Sequence, residues 1–207
     1  MSSSNLVRWS GLSALIGGVI FIILDILESV LFAGLPESEA ALTASWIVVQ
    51  VGFIVAALLI SLGLVGLYAR QAEQAGTFGL VAFVVAFIGE MMAIGSTWSE
   101  AFFGPWLAEV APQILSSDPT GTVIAGILLT YLLFALGWLL FGLASLRSGE
   151  LPRGASVLLM IGAVIFPVLG FLEIPLSAVL YGAAVAWMGY ALLSGEEEAA
   201  ILAEGVT

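Results

Sequence analysis

Acidic side chains interrupt the longest apolar runs of this sequence. Glu90 stands within "AFIGEMM", and Asp25 and Glu28 stand within "IILDILES". The nearest basic residues to Glu90 along the chain are Arg70 and Arg147. A carboxylate that lies in apolar surroundings without a basic partner can carry a proton, bind a cation or anchor a polar headgroup. We therefore take these acids as candidate binding residues.

The overall composition is that of a protein surrounded by lipid. Hydrophobic residues make up 61% of the chain and charged residues only 9%, whereas soluble domains carry about 25% charged residues. The mean hydropathy is +1.19. The net charge is −11, with only four basic residues, all of them arginine. No basic patch can form from so few, so we expect no nucleic-acid partner.

Three residue types that carry much enzyme and cofactor chemistry are missing. The chain contains no Lys, no His and no Cys. Imidazole ligation of metals, Schiff-base pigments, thiol chemistry and histidine general-base catalysis are therefore excluded. We expect no catalytic residues, no metal ligands and no cofactor, and an enzyme is the least favoured class.

The apolar runs set the architecture, because a bilayer core needs about 20 apolar residues for each helical crossing. We predict an all-α, polytopic membrane helix bundle with six transmembrane helices. The predicted spans are residues 9–33, 45–69, 77–103, 121–146, 154–173 and 176–194. They form a single transmembrane domain over residues 1–194, followed by an acidic cytoplasmic tail over 195–207. The fifth and sixth spans are joined by very few residues, so the chain must reverse near Pro175.

The arginines predict the orientation of the bundle. They lie before the first span, between the second and third, and between the fourth and fifth, at Arg8, Arg70, Arg147 and Arg153. With the N-terminus inside, all of these positions are cytoplasmic, as the positive-inside rule requires. We therefore predict that both termini are cytoplasmic.

An internal repeat is suggested by the first and fifth spans. "GGVIFIILDILE" (17–28) and "GAVIFPVLGFLE" (162–173) agree at seven of twelve positions. Both spans would run from inside to outside. The pattern predicts a parallel repeat of two-helix hairpins.

Helical spacing predicts which way the acids face, since residues three and four apart share a face. From Glu90 this face passes through Ala86, Ala82 and Gly79. Small residues allow close helix approach in membranes, so we expect Glu90 to point at other helices. The first and fifth spans carry similar stripes, and we expect the first, third and fifth spans to pack directly against one another in their inner halves.

Several polar residues fall at similar depths in the outer half of the predicted bundle. The candidate binding residues are Asp25, Glu28, Gln50, Glu90, Thr130, Tyr131, Glu173 and Tyr181. We interpret Trp138, in the inner half of the fourth span, as packing bulk.

The role of the acids stays open between two interpretations. Asp25 and Glu90 can form a proton or cation site, or they can make interhelical hydrogen bonds that only fix the packing, worth about 0.6 kcal/mol each. Glu28, Glu100 and Glu173 lie closer to the outer headgroups, where a solvated interface is the favoured interpretation.

The inner loops carry a resemblance to known sequences. "GLYARQAEQAG", "LPRGASVLLMIGAV" and "AWMGYALL" resemble a broad family of uncharacterised six-helix bacterial integral membrane proteins. The resemblance implies six spans and a bacterial plasma membrane, and it implies no activity.

Two classes of function therefore remain. The first is a small proton- or cation-linked transporter or channel that uses the outer carboxylates. The second is a non-catalytic membrane helper, or a protein that binds lipid or another apolar ligand. The expected partners are membrane lipids together with a proton, a cation or an apolar ligand, and oligomerisation is compatible with either class.

Overall fold

The computed structural model describes residues 3–172 and 174–204, and within them it contains helices and no strands. The helices are α1 (Ser3–Leu31), α2 (Glu37–Ala40), α3 (Ala44–Val110), α4 (Pro112–Leu115), α5 (Gly121–Ser148), α6 (Arg153–Phe171) and α7 (Val179–Glu204). The prediction of an all-α chain is confirmed.

Within the part of the chain that the structure describes, four stretches are long and apolar enough to cross a membrane. They are Asn5–Leu31, Ala44–Val110, Gly121–Ser148 and Arg153–Phe171, and Val179–Gly195 is a shorter apolar helix. These long apolar helices are compatible with a membrane helix bundle. The helix α7 continues past the predicted end of the membrane domain at residue 194.

Helix α3 is divided at Gly76. Its 67 residues would extend about 100 Å as one straight helix, but Gly76 has φ 53° and ψ −146°, which is not helical. Glycine reaches this conformation because it has no Cβ. We call residues 44–75 the first arm of α3 and residues 77–110 the second arm. The break falls between the second and third predicted spans.

The two arms fold back along each other, and contacts at both ends show it. Near the kink, the rings of Tyr68 and Phe83 stack with centroids 4.6 Å apart. At the far end, Trp46 Nε1 donates a hydrogen bond of 3.0 Å to the backbone oxygen of Glu100. The arms therefore form an antiparallel pair.

The long helices are arranged as a ring around a common core. Helix α1 packs between the first arm of α3 and α7, α6 packs between α7 and α5, and α5 packs on the second arm. The expected direct packing of the fifth span against the first and third spans is wrong. Among the described residues, the backbone of α6 contacts neither α1 nor α3, although side chains such as Phe21 and Phe166 meet across the core.

The small residues explain this ring, because each stripe of small residues lets the neighbouring helix approach closely. An added Cβ at Gly18 of α1 would lie 2.5 Å from the backbone oxygen of Gly182 in α7. A Cβ at Gly89 in the second arm would lie 2.6 Å from the nitrogen of Phe134 in α5. Such close approach needs small residues on at least one partner.

The predicted faces of the second arm of α3 are confirmed. Gly79, Ala82 and Ala86 are buried, while Leu80 and Ile88 are exposed on the outside of the bundle. The chain also reverses between α6 and α7, as predicted, through residues that include Pro175 and Leu176, the latter with φ 61°.

One end of the bundle is held by polar contacts of the arginines. Arg70 Nε lies 3.3 Å from Glu150 Oε2, and the guanidinium of Arg147 lies 4.8 Å from the centroid of the Phe78 ring. These contacts join the kink of α3 to the turn between α5 and α6. The opposite end contains the candidate site.

Candidate functional site

A cavity of about 270 Å³ opens among α1, both arms of α3, α5, α6 and the start of α7. It lies in the half of the bundle away from Arg70 and Arg147. Six of the eight candidate residues line it: Asp25, Glu28, Gln50, Glu90, Thr130 and Tyr131. Residues far apart in sequence therefore share one space.

The two remaining candidates are placed differently. Tyr181 is fully buried and reaches the cavity region through its hydroxyl, which contacts Glu90. Glu173 lies outside the residues that the structure describes.

Glu90 occupies the deep end of the cavity, and only 1% of its surface is exposed. Trp138 Nε1 donates a hydrogen bond of 3.0 Å to Glu90 Oε2. The Tyr181 hydroxyl lies 3.1 Å from the same oxygen. The side chains come from the second arm of α3, from α5 and from α7. Three separate helices therefore fix one carboxyl group, and the described residues offer no donor to its Oε1.

Trp138 is the functional residue that the sequence interpretation missed. It was expected to be packing bulk, but it is fully buried and is one of the two donors to Glu90. A signal existed in the helical spacing. Thr130, Phe134 and Trp138 lie four residues apart on one face of α5, so extending the polar stripe from Thr130 would have reached the indole.

An aromatic cluster closes the cavity on the side of the arginines. Its members are Phe21, Phe53, Phe134, Trp138, Phe166 and Tyr181, and neighbouring rings lie 5.1 to 6.4 Å apart. Several of these pairs meet edge to face, which is the favoured geometry for aromatic side chains. Between this cluster and the arginine end of the bundle the core is fully buried, with Leu64 and Leu159 at 0% exposure. The cavity therefore has a closed inner end.

Asp25 lies further from the arginine end and is 5% exposed. Its Oδ2 accepts a hydrogen bond of 3.2 Å from the backbone nitrogen of Ala178. Ala178 immediately precedes α7, so the carboxylate sits at the positive end of the helix dipole. The acid thus ties α1 to the beginning of α7 and still lines the cavity.

Glu28 and Glu100 complete the set of acids. Gln50 Nε2 donates a hydrogen bond of 3.0 Å to Glu28 Oε1, and the Ser96 hydroxyl donates one of 3.2 Å to Glu100 Oε1. Both acids line the cavity, so they belong to the same space as Glu90. The Thr130 hydroxyl donates a hydrogen bond of 2.9 Å to the backbone oxygen of Gly126.

The cavity is acidic and has no positive counterpart among its described lining residues. Four carboxyl side chains line it, and none of the four arginines does. The acids are nevertheless spread along its length. Within the described part of the chain, no three acidic side chains come close enough together to hold a metal ion.

A second cavity lies between the site and the exposed end of the bundle. It measures about 680 Å³ and shares Asp25, Glu28, Gly170 and Ser177 with the first. It extends to the exposed residues Gly34 and Pro36 between α1 and α2. Asp25 and Glu28 therefore line both cavities, on the side of the site that faces this exposed end.

Known proteins provide no further guide to the site. No family model matches this chain, and neither a curated protein nor a solved structure matches it. The site must be interpreted from its own geometry, and the resemblance of the inner loops to six-helix bacterial membrane proteins stays a prediction.

Proposed function

We propose that this chain is a small membrane transporter whose acidic cavity binds a cation or a proton. The observation that carries the proposal is that Glu90, Asp25 and Glu28 line one cavity that contains no basic residue. Had each acid been capped separately in a dry interface, a purely structural role would have been favoured. A buried carboxylate with access to a cavity is the usual form of an intramembrane ion or proton site.

The closed inner end favours a transporter over an open channel. The aromatic cluster and the buried core beneath it leave a path from Glu90 to only one end of the bundle. A site that is reached from one side at a time is what alternating access requires. In this proposal, the structure corresponds to the state that is open away from the arginine end.

Six crossings follow if each arm of α3 spans the membrane separately. A straight α3 would exceed the roughly 30 Å of a bilayer core about threefold, and its arms pair along each other. Helix α7, with the apolar stretch Val179–Gly195, supplies the sixth crossing. Arg70 and Arg147 lie at the same end of the bundle. By the positive-inside rule this supports a cytoplasmic location for that end and for both termini.

The proposed location is the bacterial plasma membrane, on the resemblance of the inner loops alone. The internal repeat is part of the same proposal. Gly17 and Gly162 occupy matching repeat positions, and each lies against the next long helix along the chain, the first arm of α3 and α7 respectively. This shared contact supports a duplicated two-helix hairpin.

A second candidate function has its own supporting observation. Four phenylalanine rings line the cavity beside the acids: Phe21, Phe53, Phe134 and Phe166. Such a lining also suits an apolar ligand or a lipid tail. In that case the protein would bind its ligand within the membrane without moving an ion.

Ion flux in reconstituted liposomes separates these candidates. Wild-type protein should dissipate an imposed proton or monovalent-cation gradient, and Glu90→Gln should reduce the rate at least about tenfold, because the substitution removes the carboxylate at the deep end of the cavity. Glu73→Gln is the matched control, since Glu73 is exposed and lies outside the cavity. Equal flux in the wild type and Glu90→Gln, or no flux in either, would refute ion transport.

A further inference from the structure

The spacing of the acids bears on which cation the cavity accepts. Hard metal ions such as Ca²⁺ and Mg²⁺ take about six or more oxygen ligands, and carboxylates usually provide several of them. In this cavity Glu90 lies at the deep end and Asp25 lies towards the opening. No cluster of three acids exists among the described residues. The carboxylates can therefore neutralise separate positive groups, but they do not form the clustered ligand set that Ca²⁺ or Mg²⁺ requires.

The walls between the acids carry aromatic and apolar side chains beside polar ones such as Gln50 and Thr97. Phe21, Phe53, Phe134 and Phe166 line the cavity together with Ala57 and Ala93, among other residues. Aromatic faces attract cations, and they attract organic ammonium groups most effectively where water is excluded. They also pack against hydrocarbon. A ligand that carries both a positive charge and an apolar body would match these walls.

Glu90 has one oxygen available for such a ligand. Its Oε2 accepts hydrogen bonds from Trp138 and Tyr181, whereas no donor to Oε1 is found in the described part of the chain. The side chain is 99% buried and lines the cavity. An acceptor that faces the cavity without a partner gains most from a charged donor, because charge-assisted hydrogen bonds are the strong ones. A primary ammonium group supplies three N–H donors and a full positive charge.

The size of the cavity limits the ligand. Its volume of about 270 Å³ is slightly below the range of about 300–1,000 Å³ in which drug-sized ligands bind. A compact amine with a single ring fits this space. At the opening, Asp25 and Glu28 provide the negative field that draws a cation inward.

We propose that the ligand of this cavity is a small organic amine, bound as its ammonium cation. The ammonium group pairs with Glu90 Oε1, and the apolar body packs against Phe134 and Phe166. The inference rests on the proposed function in that it names the class of cation for the same site. Binding requires no covalent step.

Equilibrium binding to the purified full chain in lipid nanodiscs tests the inference. The probes are 2-phenylethylamine, which is a cation at neutral pH, its neutral analogue 2-phenylethanol, and NaCl, each titrated by calorimetry. We expect the amine to bind at least tenfold more tightly than the alcohol. Glu90→Gln should weaken amine binding at least tenfold and leave alcohol binding unchanged, while Glu73→Gln should change neither.

A second variant keeps the test valid if Glu90→Gln does not fold. Phe166→Leu retains an apolar residue of similar volume but removes one aromatic face, and it should weaken amine binding about threefold or more. Equal binding of amine and alcohol would overturn the inference in favour of an apolar ligand. Competition of Na⁺ at equal concentration with the amine, or no amine binding to the wild type, would also overturn it.

The flux experiment and this titration fail independently. Amine binding without flux of protons, of monovalent metal cations or of the amine itself would leave the ligand assignment intact and refute transport. Proton or sodium flux in a protein that does not bind the amine would support transport and refute the assignment of an amine ligand.

Discussion

The indole nitrogen of Trp138 lies 3.0 Å from Oε2 of Glu90, and both side chains are buried. This contact joins α5 to the second arm of α3. An indole N–H can only donate, so it holds the carboxyl group in one orientation whether or not that group carries a proton. Oε1 is then left to face the cavity, and the deep end of the site is already organised before any ligand arrives.

Trp138→Phe tests the contribution of this contact. The variant retains the ring packing but removes the donor, and we expect it to lower the free energy of unfolding by about 1–3 kcal/mol. The measurement is thermal unfolding in detergent. Trp98→Phe is the control, because Trp98 is largely exposed and its loss should change stability by less than about 0.5 kcal/mol.

A double-mutant cycle then assigns the effect to the pair. In a Glu90→Leu background, which removes the acceptor, Trp138→Phe should cost less than it does alone, because the hydrogen bond is already lost. Identical costs in the two backgrounds would show that the indole stabilises the core by packing and does not act through Glu90.

Asp25 allows the structural and functional roles of an acid to be separated. Asp25→Asn keeps an oxygen that can accept the hydrogen bond from Ala178, and it should change the free energy of unfolding by less than about 0.5 kcal/mol. Asp25→Ala removes the acceptor and should cost about 1 kcal/mol, as the loss of a helix cap does. Both variants should slow cation flux in liposomes, since both remove the charge. If cation flux is slowed in Asp25→Ala but unchanged in Asp25→Asn, the role of Asp25 is structural alone.

The sequence carried most of the information about the faces of the helices. Glu90 could be assigned to the interior because it shares a helix face with the small residues Ala86 and Ala82, whereas the other faces of this helix carry large apolar residues. The midpoints of the predicted spans placed Asp25 and Thr130 at similar depths and Gln50 nearer the outer surface. Helical periodicity and the thickness of the membrane are local constraints, and local constraints can be recognised in a single sequence.

The order of helices around the bundle could not be obtained in this way. A stripe of small residues indicates that a helix approaches a neighbour closely, but it does not identify the neighbour. Gly18 could have faced α6 as well as α7, and only the three-dimensional packing decides between them. The contact between Trp138 and Glu90 was missed for the same reason, since it depends on which helix lies beside the second arm of α3.

The close approach of α1 and α7 gives a prediction about packing. Gly18→Ala places a Cβ 2.5 Å from the backbone oxygen of Gly182, so the two helix backbones must move apart. We expect a loss of about 1–3 kcal/mol in the free energy of unfolding. Gly95→Ala is the matched control, because nothing lies within 4 Å of the added Cβ, and alanine there should be neutral or slightly stabilising. Equal stability of the two variants would argue against tight contact between α1 and α7.

The kink at Gly76 gives a prediction about backbone conformation. With φ 53° and ψ −146°, an alanine at this position is strained even though no atom lies within 4 Å of its Cβ. Gly76→Ala should therefore cost about 1–3 kcal/mol, measured by unfolding in detergent. Gly126→Ala has equally open surroundings inside the helix α5, and it should cost nothing. If Gly76→Ala is as stable as Gly126→Ala, the two arms of α3 do not require this turn.

The orientation of the bundle is open to direct measurement, because the chain has no cysteine of its own. Ala72 lies in the first arm of α3 near Arg70, and Ser117 is exposed between α4 and α5 at the opposite end. With the arginine end in the cytoplasm, a membrane-impermeant maleimide added to intact cells should label Ser117→Cys and not Ala72→Cys. Permeabilised cells should show labelling of both variants. Labelling of Ala72→Cys alone in intact cells would invert the orientation, and the acidic cavity would then open to the cytoplasm, where it would receive its cation from inside the cell.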